Sequence, residues 1–147
     1  MNSLAVMPRL LLVLLSALLL GGCASYDTHV ERGKSLASVK RFFVVTNLND
    51  NHALDRGIAE ALKAHGFTAG TGPRTMMPED TQAIVTYQDR WAWDFGDHLV
   101  FLTIGVNDAL SLDRIASVTF SASIPLREPV PTTVGRLVVR LVAGRKP

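Results

Sequence analysis

RFFVVTNLNDNHALDRGIAEALKAHGFTAG, residues 41–70, is the stretch from which the fold can be read. Arg41 to Thr46 is a run of β-formers with apolar side chains on both faces, the pattern of a central strand covered on two sides. Asn47 to Asn51 then supplies side chains suited to turns and helix capping. From about Asn51 to His65 the period becomes helical. Leu54, Ile58, Ala61, Leu62 and His65 fall on one stripe, with Arg56, Glu60 and Lys63 opposite. Gly66 can take the positive φ that ends a helix. Phe67 to Ala69 forms a short second strand, closed by Gly70, Gly72 and Pro73. Strand, helix and strand in this order imply a parallel pair joined by a right-handed crossover.

Downstream the period is that of strands. Gln82 to Trp93 is one long strand, followed by a turn at Asp94 to Asp97. In His98 to Val106, Val100, Leu102, Ile104 and Val106 share a face. From Ile115 onward, Ala116, Val118, Phe120, Ala122, Ile124 and Leu126 alternate with small polar residues, marking a half-buried antiparallel strand. Arg127 to Pro131 is a breaker segment, after which Thr132 or Thr133 caps a last helix with Val134, Leu137, Val138, Leu141 and Val142 on its stripe. The expected fold is therefore α/β (α+β): a single mixed sheet of about five strands in the order β-α-β-β-β-β-α, with two amphipathic helices on one face.

Both tryptophans lie in TYQDRWAWD, residues 86–94. On a strand, Tyr87, Asp89, Trp91 and Trp93 share one face. They could form an aromatic surface for a glycan or a partner, or fill one end of the core; the core reading is expected for at least one of the rings. Asp94, Asp97 and His98 could suggest a metal site, but acidic residues in a glycine-containing hairpin are ordinary turn chemistry, and no metal is expected. His52 and His65 are too far apart on a helix to share a ligand. No G-x-S-x-G elbow or phosphate loop is present, and the expectation is no catalytic residues and no cofactor. Arg136, Arg140, Arg145 and Lys146 form a basic tail, read as a solvated helix face rather than an anionic-lipid contact.

The beginning of the chain has a different character. Met1 to Arg9 is a short basic lead, and Leu10 to Leu20 (LLLVLLSALLL) is an 11-residue apolar run. That is the length of a signal peptide's apolar region and too short to span a bilayer. Leu20-Gly21-Gly22-Cys23 follows, and Cys23 is the only cysteine. This junction resembles the lipobox of bacterial lipoproteins: an aliphatic residue, two small ones, and the thiol that receives diacylglycerol before cleavage between Gly22 and Cys23. The resemblance implies a signal peptide over 1–22, a lipidated Cys23 beginning a flexible tether over 23–40, and a periplasmic α/β domain over 41–147. Ala24 after the cysteine implies outer-membrane delivery. The RFFVVTNLNDN opening and the TYQDRWAWD strand also look like those of small proteobacterial envelope lipoproteins.

With residues 1–22 removed, the mature chain carries 14 basic and 13 acidic side chains, a balance that gives no support for nucleic-acid binding. The function expected is that of a non-enzymatic, membrane-anchored envelope lipoprotein docking a partner protein or an envelope polymer such as peptidoglycan. The alternative is small-ligand or glycan binding through the Trp91/Trp93 strand.

Overall fold

The computed structural model describes residues 24–124 and 127–143. Its elements are β1 (Ala24–Val30), β2 (Arg41–Val45), α1 (Leu54–Ala64), β3 (Thr68–Gly72), a 3-10 turn (Arg74–Met76), β4 (Ala83–Trp93), β5 (Asp97–Asp108), β6 (Arg114–Ala122) and α2 (Val130–Ala143). They build one six-stranded sheet in the order β1-β6-β5-β4-β2-β3. β2 pairs in parallel with both β3 and β4, while β4, β5, β6 and β1 pair antiparallel. This is the expected mixed α+β sheet with both helices on one face. Among the described residues, no helix is long and apolar enough to cross a membrane.

Period 2 sorts the sheet into two faces. Phe42 and Val44 of β2, Val85 and Tyr87 of β4, Leu102, Ile104 and Val106 of β5, and Val118 and Phe120 of β6 are buried under the helices. Leu54, Ile58 and Leu62 of α1, with Val134, Leu137, Val138 and Leu141 of α2, close the core from above. The other face carries Thr86, Gln88, Thr103, Ser117, Thr119 and Ser121, where the Thr103 and Thr119 hydroxyls hydrogen-bond at 2.9 Å. Phe43 is buried on that side, its ring lying over Gly70 and Gly72 of the neighbouring strand. β3 continues through these two glycines, which read as a loop in the sequence, because β2 pairs with it as far as Gly72.

Several expectations require correction. Residues 24–40 are not a tether. β1 pairs with β6 over seven residues, the Tyr26 ring packs 5.3 Å from Phe120, and Leu36 and Val39 are buried. The sheet therefore has six strands instead of about five. A β-bulge between Arg90 and Trp91 leaves Val100 without a partner, so Leu99 is buried and Val100 only half-buried. An extra residue in one strand inverts the alternation beyond it. α1 starts at Leu54 rather than Asn51, and His65, its exposed C-cap, is replaced in the buried stripe by Ala59. α2 begins before Thr132: Pro131 sits in its first turn, where a missing N–H is harmless, and the Thr133 hydroxyl donates to Glu128. Arg136 and Arg140 do not simply face water, because both guanidinium groups lie over the Tyr26 ring and tie α2 to β1. Ile124 is 60 % exposed. Leu126, Arg145, Lys146 and residues 1–23, including Gly22 and Cys23, lie outside the described residues.

Candidate functional site

The β4 face that carries Tyr87, Asp89, Trp91 and Trp93 runs from the core to one end of the sheet, and its environment changes along the way. Tyr87 is buried, and its hydroxyl donates to Asp50 Oδ2 at 2.7 Å while accepting the Asn47 N–H at 3.2 Å. The same Asp50 oxygen accepts the Leu54 N–H at 2.7 Å and the Asp55 N–H at 3.4 Å, and Oδ1 accepts the His52 N–H at 2.7 Å. Asp50 thus caps α1 from outside the helix, a task that Ala53, in the left-handed region with φ 55°, cannot perform. Burial pushes the Asp50 carboxyl upward, but the Tyr87 hydroxyl and the three backbone donors outweigh it and hold the group below the usual carboxylate range. Burial and the bond to Asp50 push the Tyr87 phenol up. Both side chains are committed to the fold.

Asp55, in the first turn of α1, is likewise engaged: its Oδ2 accepts the hydroxyls of Thr46 and Thr71 at 2.8 and 2.9 Å. Further along β4, the Trp91 indole N–H donates to Asp89 at 2.6 Å, and the ring stacks on His52 with centroids 3.6 Å apart and planes 14° from parallel. His52 in turn reaches Asp97 Oδ2 at 3.2 Å. The loop before α1 is therefore stapled to the turn end of the β4–β5 hairpin through an imidazole. Trp93 is different. It is 74 % exposed and has the ring of Phe95, itself 92 % exposed, beside it at a centroid distance of 5.9 Å. The predicted four-residue face thus divides into three members built into the molecule and one at its surface.

Asp94, Asp97 and His98 do not converge. Asp94 faces Arg127 at 4.0 Å, Asp97 takes His52, and the His98 ring contacts the Asp94 carbonyl at 3.1 Å. Among the described residues, no group of three His, Cys, Asp or Glu side chains could hold a metal ion. Asp94, Phe95, His98, Arg127, Glu128 and Pro129 line an open cleft of about 350 Å³. Of its two carboxylates, Glu128 is held below the usual range by the Thr133 hydroxyl and by Arg136, despite slight burial.

Asp50 and His52 are the site residues that motif reasoning missed. Asp50 was legible only as a turn or capping residue, and His52 was weighed only as a metal ligand. The usable signal was that a loop with polar caps precedes a helix that packs over a strand rich in Tyr and Trp.

The molecule thus belongs to a class of mixed-sheet domains with two helices laid on one face. Neither protein-family models nor curated proteins match the chain. Solved structures do. PelC from Paraburkholderia phytofirmans, a dodecamer, superposes with a TM-score of 0.59 over 83 % of this chain and 96 % of its own, at 15 % identity. A single-substitution variant of that dodecamer gives 0.58 over the same shares at 16 % identity. At such identity the likeness establishes the fold.

Proposed function

We propose that this chain is a non-enzymatic lipoprotein of the bacterial cell envelope, held by a diacylated Cys23 at the outer membrane facing the periplasm, and that it docks other envelope proteins, beginning with copies of itself. The observation that carries the reading is the junction Leu20-Gly21-Gly22-Cys23 placed directly before β1. A thiol at that position is suited to thioether formation with a diacylglycerol, and two or three acyl chains suffice for stable membrane attachment. The PelC-like fold supports a structural rather than catalytic role, and so does the commitment of Asp50, Asp55, Tyr87 and Asp89 to internal hydrogen bonds. Self-assembly is supported by the dodecameric state of PelC and by the place of β1 and β3 as the edge strands of the described sheet, since an edge strand can pair with a neighbour.

Fractionation of cells expressing the wild type and Cys23→Ser tests the anchor. The wild type is expected in the outer membrane, and the variant as unprocessed precursor or poorly processed soluble protein. Equal distribution of the two would overturn the anchoring. Native mass spectrometry of detergent-extracted protein tests assembly: a multi-subunit species is expected, and a monomer at every concentration would contradict it.

A further inference from the structure

The pairing registers place four separated segments at the same end of the sheet. Ala24 of β1 lies opposite Ala122 of β6, Phe101 of β5 opposite Ser121, and Trp93 of β4 opposite Asp97. β2 runs parallel to β4, so the loop after Val45 emerges at that end as well. Half of the large apolar side chains that the described surface exposes belong to these segments: Leu48 at 95 %, Trp93 at 74 %, Phe95 at 92 % and Ile124 at 60 %. Phe95 is doubly unfavourable for a soluble turn, since its φ of 52° suits glycine or asparagine and its ring lies in water. The opposite end exposes Leu110 and Leu112, but it offers no aromatic ring and lies a strand length of about 30 Å away by the rise of a nine-residue β6.

Cys23 immediately precedes Ala24, so an acylated cysteine would hold this apolar end against lipid with almost no spacer. We propose that the end formed by Leu48, Trp93, Phe95 and Ile124 docks into the interfacial layer of a phospholipid membrane, with Trp93 and Phe95 as its deepest members. The inference rests on the anchoring reading above. Trp has the chemistry of an interfacial residue, an apolar body with a polar N–H, and such groups enter the headgroup–acyl boundary to a depth of about 5–10 Å. Acyl chains would dominate affinity, so the aromatic tip sets orientation. It would stand the sheet upright on the membrane, with the β5–β6 turn and the C-terminal end of α2 pointing away from it.

The mature lipoprotein, reconstituted in phosphatidylcholine vesicles whose acyl chains carry bromine at shallow or deep positions, provides the test. Flotation reports the anchor, and tryptophan fluorescence reports the tip. In Trp91→Phe, where Trp93 is the one remaining tryptophan and is excited selectively at about 295–300 nm away from the two tyrosines, the expected results are a blue shift on reconstitution and loss of emission with the shallow bromines. In Trp93→Phe the quenched component should disappear, which keeps the test valid if Trp91→Phe disturbs the His52 stack. Protein that floats while Trp93 remains unshifted and unquenched overturns the docking and leaves the anchor intact. Protein that fails to float overturns the anchor itself. A Trp93 already shielded in lipid-free assemblies and unquenched in vesicles would assign the tip to a protein neighbour and also overturn the proposal.

Discussion

Asp50→Ala should destabilise the domain more than any other single substitution in a loop, because one carboxylate holds together three segments. Its two oxygens accept the Tyr87 hydroxyl and the N–H groups of His52, Leu54 and Asp55. Loss of a helix cap costs about 1 kcal/mol. Loss of a hydrogen bond to a charged group, with the Tyr87 O–H left without an acceptor while its oxygen keeps the Asn47 N–H, costs about 1.5–3 kcal/mol. Water can take over the exposed His52 N–H, so the sum is about 3 kcal/mol, or about 10 °C in Tm for a domain of this size. Thermal or urea unfolding measures it, and a double-mutant cycle with Tyr87→Phe should return a coupling of at least about 1 kcal/mol. The pH dependence has a definite sign. A carboxyl depressed in the folded state contributes stability that is present above its unfolded value and is lost as pH falls through the folded one. The gap between wild type and Asp50→Ala should therefore be widest near neutrality and shrink only below about pH 4. A loss under about 1 kcal/mol, or a gap that stays constant into strong acid, would refute the assignment of Asp50 as the joint between α1 and β4.

Two further substitutions test the packing. Phe120, 1 % exposed and against Tyr26, should cost about 3–5 kcal/mol when replaced by Ala in a chemical unfolding experiment; a cost near zero would mean the β6 face is misassigned. Leu99→Ala should cost about 2–5 kcal/mol, well above Val100→Ala, because the bulge turns Leu99 into the core; the reverse ranking would place the bulge elsewhere.

Legibility in the sequence followed how strongly one face is buried. The α1 and α2 stripes and the alternation from Ala116 to Ala122 were readable because each element has one dry side and one wet side. β1 was not. Its inward positions are Ala24, Tyr26, Thr28 and Val30, all only half-buried at the sheet's edge, so the apolar contrast that marks a strand is weak there. The bulge at Val100 left no sequence mark, because Leu99, Val100, Phe101 and Leu102 are apolar in either phase. At the site, the shared face of Tyr87, Asp89, Trp91 and Trp93 follows from period 2 alone. Which of those side chains remains free depends on Asp50 and His52 arriving from the loop before α1, a long-range juxtaposition that no local periodicity encodes.

Anchoring of this domain to a membrane through Cys23 is read off in one step from the intact mass of the protein purified from envelope membranes. The expected mass is that of a chain that begins at Cys23 and carries a thioether-linked diacylglycerol, with a further acyl group on the new amino terminus where the host adds one. An unmodified Cys23, or a mature end at any other residue, would contradict it.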